Sequence, residues 1–340
     1  MDSPYSPLEF ALLNEWQRDF PITEEPFAHI GQAMGRTMGQ KVGAGDTVIV
    51  ATLRRLLERG AVSRVGAVFA PRRVGASTLA ALSAPLERLD EIADRVSAFP
   101  EVNHNYQREH HYNVWFVAAA ETTEKLEEVL AAIELATACR VLSFPLEHEF
   151  HIDLGFNLQA AHGHGKIRHG GVAAVVPSVL GEADRRLIAA LQPGLQLVPR
   201  PFAQLAQQVG SSEREVRDRI SAWLAEGTIK RFGVVVRHHE LGYRANAMVV
   251  FDVPAEQVEA LGMQLAGESG VTLCYRRRRS LPEWRYNLYC MVHGRSREHV
   301  LPLVARLSQI VGQEGLPLFS TRRFKQCGAR YFPESVAAHA

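Results

Sequence analysis

Two stretches of sequence decide the fold: LLERGAVSRVGAVFAPRRVG at residues 56–75 and LAEGTIKRFGVVVRHHELGY at residues 224–243. Their glycines and one arginine recur at a constant offset of 167: Gly60 with Gly227, Arg64 with Arg231, Gly66 with Gly233 and Gly75 with Gly242. Self-similarity in one register over such a span indicates an internal repeat, so we expect the same supersecondary unit to be built twice.

A second pair of matching segments extends the repeat toward the C-terminus. NHNYQREHHYNVWF occupies residues 103–116 and TLCYRRRRSLPEWRYNLY occupies residues 272–289. The aligned pairs are Tyr106 with Tyr275, Arg108 with Arg277, Tyr112 with Tyr286 and Asn113 with Asn287. The offset grows from 169 to 174 within these segments, which predicts a hairpin loop about five residues longer in the second copy, near residues 279–283.

Hydrophobic periodicity predicts the same order of elements in both copies. Three short helices with a tight turn before the last one indicate a helix-turn-helix, in which Ser212 and Glu215 form a capping box. A ribbon and a β-α-β-β-α-β series follow. The predicted fold class is therefore α+β, a tandem repeat of a winged helix-turn-helix and a ferredoxin-like (βαββαβ) domain. The predicted boundaries are 8–66 and 67–155 for the first copy, 156–183 for a linker, and 184–233 and 234–332 for the second copy.

Composition limits the classes of protein to consider. The chain has 340 residues, of which 46% are hydrophobic and 22% charged, as in ordinary globular proteins. We find no apolar run of about 18 residues and no signal peptide, so we expect a cytoplasmic protein without membrane contact. The four cysteines form no CxxC pair, which argues against a zinc ribbon. Three histidines lie in the Gly-rich linker, where we expect solvated side chains rather than a metal site: His162, His164 and His169.

The helices that would read DNA carry the wrong side chains for that task. The net charge of the chain is only +1. The segment 212–226 sets three arginines against four acidic residues, and the equivalent helix of the first copy begins with the apolar run 48–50. Because DNA affinity depends on a cationic face and polar groups at the base edges, we expect no nucleic-acid partner and a structural role for these helices.

The architecture resembles the Lrp/AsnC family of regulators, and Glu226–Gly233 is similar to that family's helix-to-ribbon junction. A more specific resemblance is to the siroheme decarboxylases. It is carried by the segments Asn105–Phe116, Cys274–Gly294 and Phe319–Lys325. The order of the two copies resembles the fused NirD–NirL type, and the resemblance covers nearly the whole chain.

This resemblance implies a carboxy-lyase that removes CO2 from the C12 and C18 acetates of siroheme. The product would be 12,18-didecarboxysiroheme, an intermediate toward heme d1 or heme. The implied partners are siroheme and its product, together with a second copy of the chain or homologous subunits of the NirG/NirH type. No cofactor is expected beyond the iron of the substrate.

A flat polyanionic macrocycle requires cations, aromatic surface and a proton donor. The first hairpin offers His110 or His111 as general acid or axial ligand to the substrate iron, with Tyr106 and Tyr112 assisting by hydrogen bonds. Further substrate-binding residues are predicted on both copies and in the two ribbons: Arg64, Arg108, Asn113, Trp115, Arg231, Tyr275, Arg277, Tyr286 and His293. The second copy has no counterpart of the histidine pair, with Arg278 and Ser280 in that region, so we expect the chemistry in the first copy.

Structural alternatives remain open for several of these groups. The arginine run 276–279 could be a solvated hairpin, and the Asn of each Tyr-Asn pair could hold a strand end. The basic segment 322–325 and the acidic segment 147–151 could reflect pairing between sheet edges. Two other functions also remain: a ligand-sensing Lrp/AsnC-type regulator and a non-catalytic tetrapyrrole-binding subunit.

Overall fold

The computed structural model describes residues 4–37, 45–70, 72–152, 179–237 and 245–333. The chain divides into two compact units. We call one the helical unit (1–74, 171–240 and 332–340) and the other the barrel unit (75–170 and 241–331). Each unit therefore combines one segment of each copy. Most of the predicted linker, 156–178, with its three histidines, lies outside the described residues.

The helical unit contains three helices and one strand from each copy. In the first copy these are α1 (Pro7–Glu15), α2 (Pro26–Thr37), α3 (Gly45–Glu58) and β1 (Val62–Phe69). In the second copy they are α6 (Glu182–Leu191), α7 (Pro201–Val209), α8 (Glu213–Ala225) and β6 (Ile229–Val236). The predicted capping box is present, because Ser212 Oγ accepts from the backbone N–H of Glu215 and the Glu215 carboxylate accepts from that of Ser212. These bonds stabilise the charged form and lower the pKa of Glu215 to about 2.

The ribbon of each copy pairs with the ribbon of the other copy. β1 and β6 form a two-stranded antiparallel sheet in which Gly66 faces Gly233. A Cβ at Gly233 would lie 2.4 Å from the carbonyl oxygen of Trp16, which explains the glycine at that position. What the sequence suggested as a separate wing after each helix-turn-helix is thus one sheet built from both copies.

The barrel unit confirms the predicted β-α-β-β-α-β order in both copies. The first copy provides β2 (Ala76–Leu82), α4 (Leu89–Ala98), β3 (Val102–Arg108), β4 (Val114–Ala120), α5 (Thr123–Thr137) and β5 (Val141–Ile152). The second copy provides β7 (Ala245–Phe251), α9 (Val258–Ala266), β8 (Val271–Arg277), β9 (Leu288–Gly294), α10 (Arg297–Val311) and β10 (Leu316–Gln326). The loop between β3 and β4 spans 109–113, and the loop between β8 and β9 spans 278–287, so the predicted five-residue excess is confirmed.

The eight strands close into one barrel in the order β10-β3-β4-β2-β5-β8-β9-β7. The last strand of each copy belongs to both sheets. β5 pairs with β2 through residues 141–145 and with β8 through residues 146–152. β10 pairs with β7 through residues 316–319 and with β3 through residues 320–326. The suggested pairing between sheet edges is therefore present, and each charged segment lies on the strand that crosses to the other copy.

Three apolar cores fill the barrel unit. One core joins the first sheet to α4 and α5, and a second joins the other sheet to α9 and α10. The third lies on the sheet faces turned away from the helices, and we call it the inner cluster. Its buried members are Ala81, Trp115, Leu142, Phe144, Met248, Val250, Trp284, Tyr289 and Leu318. The large aromatic share of this cluster places ring surface inside the barrel. Among the described residues, no helix has the length and apolar character needed to cross a membrane.

Candidate active site

The two hairpin loops of the barrel unit are held by the same asparagine clamp. In the first copy the side-chain amide of Asn113 donates to the carbonyl of Ala84 at 2.8 Å and accepts from its N–H at 2.9 Å. In the second copy Asn287 makes the same pair of bonds with Val253, both at 2.9 Å. Both asparagines are buried. The geometry supports the structural alternative for the Tyr-Asn motif, with each Asn fixing a strand end.

His110 lies between two aromatic rings at the start of the first loop. Its imidazole stacks on Tyr112, with ring centroids 5.9 Å apart, and meets the edge of Trp284 at 5.4 Å. The backbone N–H of Tyr112 donates to Nδ1 of His110 at 3.0 Å, so Nε2 carries the proton of the neutral ring. Burial, and then the nearby His111, lower the pKa of His110. His110 is therefore held as a neutral imidazole whose N–H donor is Nε2.

Trp284 was missed by the sequence analysis, although it comes from the second copy and contacts the predicted histidine. Counted back from the Tyr286-Asn287 pair, Trp284 and Arg285 occupy the positions of His110 and His111. The second copy therefore has no histidine at these positions and presents a tryptophan and an arginine there. Trp284 is buried, donates from Nε1 to the Tyr289 hydroxyl at 2.8 Å, and packs 5.2 Å from Trp115.

Arg108 and Arg277 are cations at matching positions of the two copies, and Arg108 is buried whereas Arg277 is half-buried. The Arg108 guanidinium donates to the carbonyl of Leu318 at 2.7 Å, and the Arg277 guanidinium donates to that of Phe144 at 2.9 Å. Burial lowers the pKa of Arg108 to about 10, so it stays charged near neutral pH. Nε of Arg108 is buried and has no hydrogen-bond partner among the described residues. A buried guanidinium in this state favours the approach of an anion.

The remaining predicted groups of the barrel unit surround these two arginines or lie at its edges. Tyr106 is 6.0 Å from the Arg108 guanidinium, and Tyr275 is 5.1 Å from that of Arg277. Tyr286 packs on Trp284 at 4.9 Å. His111 is exposed, whereas Nδ1 of His293 lies 3.0 Å from the Thr272 hydroxyl. Within the barrel unit, the histidine, tyrosine and arginine groups are thus distributed over both hairpins.

The four arginines of the run 276–279 are engaged rather than simply solvated. Arg276 pairs with Glu147 at 2.8 Å, and Arg279 pairs with Asp252 at 2.6 Å and donates to the Val253 carbonyl. Arg278 lies 3.9 Å from Glu147. The run therefore ties the longer hairpin to its surroundings and leaves Arg277 as its inward-facing member.

Arg64 and Arg231 belong to the helical unit, where they make equivalent local contacts. Arg64 donates to the carbonyl of Ala67 at 3.0 Å, and Arg231 donates to that of Val234 at 3.4 Å and of Gln17 at 2.8 Å. Each guanidinium thus folds back onto the strand that carries it. This shared contact gives the repeated arginine a structural reason in the β1–β6 sheet.

The arginines of α8 are ion-paired within the helical unit. Arg214 pairs with Asp218 at 3.5 Å, Arg217 with Glu24 at 3.4 Å and Arg219 with Asp184 at 2.7 Å. A helix whose cations are neutralised by neighbouring carboxylates offers little to phosphates. This geometry agrees with the expectation that the helix-turn-helix has a structural role.

Family models match the ferredoxin-like domain of both copies and the helix-turn-helix domain of the second copy. The AsnC-like ligand binding domain matches residues 73–151 and 240–325, and the siroheme decarboxylase NirDL-like HTH domain matches residues 184–229. The siroheme decarboxylase NirDL subunit of Paracoccus denitrificans is 44% identical over 95% of this chain and 96% of that protein. The chain belongs to the siroheme decarboxylase family. The family predicted from the hairpin motifs is thereby confirmed.

Solved structures of this family share the fold. The crystal structure of the siroheme decarboxylase NirDL has a TM-score of 0.68 and 29% sequence identity, and the match covers 96% of this chain and 95% of that one. A structure of NirDL in complex with an iron-uroporphyrin III analogue matches with a TM-score of 0.67 and 28% identity, over 96% of this chain and 94% of that one. The predicted fold class is confirmed.

Single-copy subunits of the siroheme decarboxylase family match one half of the chain. The NirD subunit of Pseudomonas aeruginosa is 45% identical over 44% of this chain and 95% of that subunit. The tandem chain therefore contains in one polypeptide what other members divide between homologous subunits.

Proposed function

We propose that this protein is a siroheme decarboxylase that converts the C12 and C18 acetates of siroheme to methyl groups, as a step of heme d1 biosynthesis. The buried guanidinium of Arg108 in the aromatic interior of the barrel unit is the observation that carries the proposal. An unpaired buried cation costs free energy, and a carboxylate of the macrocycle would offset that cost with a charge-assisted hydrogen bond. Family membership supplies the identity of the macrocycle.

The aromatic surface of the inner cluster suits a flat tetrapyrrole. Trp115, Trp284 and Tyr112 form a set of mutually packed rings next to His110. The tyrosine pair Tyr106 and Tyr275 would complete the polar boundary with Arg108 and Arg277. Asn113, Arg64 and Arg231 are left out of the proposed ligand contacts, because each has a structural partner of its own.

We assign the proton donor of the reaction to His110. Each decarboxylation replaces CO2 by a proton, so an acetate becomes a methyl group without a net change of oxidation state and without an external oxidant. An acid close to the reacting carbon is therefore the main chemical requirement. Burial makes the imidazolium of His110 a stronger acid than an exposed one.

Both roles predicted for His110, proton donor and ligand of the substrate iron, require a change at Nδ1, because the imidazolium and the Nδ1–H tautomer each lose the bond from the Tyr112 N–H. A histidine binds iron through a nitrogen lone pair, but Nδ1 already accepts from Tyr112 and Nε2 carries hydrogen. Ligation through Nε2 would require the other tautomer and the loss of the bond from Tyr112. The proposed reaction needs no cofactor besides the substrate, and the iron remains part of the bound macrocycle.

Anaerobic incubation of the purified chain with siroheme tests the proposal. We expect mass analysis to show stepwise loss of two CO2 molecules, with the mono-decarboxylated species appearing first. The double variant His110→Ala/His111→Ala should form no product. Full turnover by that variant would overturn the assignment of the proton donor, whereas an inactive wild-type chain that still binds siroheme would indicate a non-catalytic binding subunit.

A gel-shift experiment separates this proposal from a regulatory function. Because the α8 arginines are ion-paired, we expect no sequence-specific retardation of DNA at low or moderate salt. A specific shift that depends on siroheme would instead support the Lrp/AsnC-type regulator.

A further inference from the structure

Two rows of side chains cross the barrel at the matching place in each copy. The first row runs over β10, β3 and β4, and the second runs over β5, β8 and β9. The first row is Arg323, Tyr106 and Trp115. The second row is Glu149, Tyr275 and Tyr289. Each residue is the direct cross-strand partner of the next, so the three side chains of a row lie on one face of the sheet.

The face that carries both rows is the inner one. Trp115 and Tyr289 belong to the inner cluster. The neighbours of the charged residues point the other way, because Phe324 packs on the core under α4 and α5, and Phe150 packs on the core under α9 and α10. Arg323 and Glu149 each follow a residue on the helix side, because Arg322 contacts Phe324 and His148 contacts Phe150, so both charged side chains lie on the inner side. Arg323 is exposed there and donates to Gln326 Oε1 at 3.1 Å, and Glu149 is half-buried.

The rows match in position and differ in the sign of one charge. Arg323 and Glu149 are related by the same offset of 174 as the Tyr-Asn pairs. In the first row the cation Arg323 lies opposite Tyr106, and Tyr106 is on the strand that also carries Arg108. In the second row the carboxylate of Glu149 on β5 lies opposite Tyr275 on β8. Burial, and to a smaller extent this carboxylate, raise the pKa of Tyr275, while Arg277, on the same strand as Tyr275, acts to lower it.

We infer that the Arg323 row is the half of the barrel that accepts the carboxylates of the macrocycle, and that Glu149 repels carboxylates from the matching half of the second copy. One chain then binds one macrocycle in one orientation, despite its two similar halves. An attractive charge in one half and a repulsive charge in the other is an effective way to discriminate between two similar sites. This inference rests on the proposed function, which supplies the polyanionic ligand.

Binding of iron-uroporphyrin III to the full-length chain tests the inference, followed by absorbance at several salt concentrations. Arg323→Gln should weaken binding roughly fivefold and reduce its salt dependence, and Arg323→Lys should retain most of the affinity. Glu149→Gln should strengthen binding by about threefold.

Matched controls are available next to both residues. Arg322 pairs with Asp90 and covers Phe324, and Glu147 pairs with Arg276, so Arg322→Gln and Glu147→Gln should change the affinity less than twofold.

The inference is overturned if Arg323→Gln behaves like Arg322→Gln, or if Glu149→Gln binds no more tightly than Glu147→Gln. A wild-type chain that still releases CO2 from siroheme in that case would leave the proposed function intact. A wild-type chain that neither binds the probe nor decarboxylates siroheme would remove both. Two probes bound per wild-type chain would also contradict the inference.

Discussion

The β3–β4 and β8–β9 hairpins share a frame and differ in the groups that the frame presents. Each has a buried asparagine clamped to the strand end of its own sheet, and each has an arginine that donates to the last strand of the other copy. The frame presents His110 in one copy and Trp284 in the other. Duplication has therefore preserved the groups that hold the backbone, while the groups at the inner face have diverged.

Under the proposed function, this difference would give the two copies separate tasks in one site. The first hairpin brings an imidazole with a lowered pKa, and the second brings the indole against which that imidazole packs. A tryptophan cannot transfer a proton, but its ring excludes water from one side of His110 and thereby adds to the burial that makes its imidazolium acidic. The second copy would then support His110 and would not form a second active site.

The largest effect is expected from His110→Ala, which removes the proposed proton donor. We expect turnover of siroheme to fall about 10²- to 10⁴-fold, measured as the initial rate of the mono-decarboxylated product. His111→Ala is the control, because the neighbouring His111 is exposed and its side-chain hydrogen bond, to the Ser83 hydroxyl, is long at 3.5 Å. A larger loss in His111→Ala than in His110→Ala would reverse the roles of the two histidines.

Trp284→Ala should cause the largest loss of stability in the hairpins. Removing a buried indole leaves a cavity next to Trp115 and His110, and we expect a loss of ~3–5 kcal/mol in the free energy of unfolding. Leu281→Ala in the same loop is the control, because Leu281 is 67% exposed and should cost less than about 0.5 kcal/mol. Urea denaturation compares the three proteins. Equal midpoints for Trp284→Ala and the wild type would show that the indole does not support the hairpin.

The asparagine clamps should respond in the same direction, with the larger loss in the first copy. Asn113→Ala removes the partner of both the N–H and the carbonyl of Ala84, at a cost of about 1–3 kcal/mol. Asn287→Ala removes the partner of the Val253 N–H, but the Val253 carbonyl still accepts from Arg279, so we expect a smaller loss. Thermal or urea denaturation measures this cost, and iron-uroporphyrin III titration of the folded variants shows whether ligand affinity is spared. A selective loss of affinity in Asn113→Ala would restore that residue as a ligand contact and break the symmetry of the frame.

The smallest effect is on the pH dependence of stability. The pKa of His110 is lowered in the folded protein, so folding disfavours its protonation. The stabilising effect of the neutral ring is complete above the unfolded pKa of about 6.5 and is lost as the pH falls through the folded pKa. We expect His110→Asn, which can still accept from the Tyr112 amide, to lose less stability than the wild type between pH 7.5 and 5. Parallel losses in urea midpoints would show that His110 does not contribute to the acid sensitivity.

The elements of each copy could be predicted because local patterns specify them. The strands and helices of the barrel unit, the Ser212 capping box and the longer second loop all follow from periodicity, capping residues and repeat offsets. The partners of the strands could not be predicted in the same way. β5 and β10 each change partner near their middle, close to a β-bulge, and their second halves pair with residues far away in the chain. Periodicity indicates which residues of a strand face inward, but it does not indicate which strand lies alongside.

The predicted site draws on both units, because Arg64 and Arg231 lie in the helical unit and the other predicted residues lie in the barrel unit. Arg64 and Arg231 make the same backbone contact, which gives the repeated arginine a structural reason, and their ligand role stays a prediction. Trp284 was missed because it differs in residue type from His110, although the offset of 174 between the Tyr-Asn pairs also relates these two positions. The ligand roles of His110, Tyr106, Arg108 and their counterparts stay predictions.

The shared last strands have a consequence for how the halves can exist. A single ferredoxin-like half would present the overhanging end of β5 or β10, and the bare side of β3 or β8, as open backbone donors and acceptors. Such exposed strand edges promote aggregation, because they can pair with a strand of any other chain. When both halves are joined in one polypeptide, each half is synthesised together with its pairing partner, in a one-to-one ratio that the expression level cannot alter. The assembly of the two halves is then independent of protein concentration.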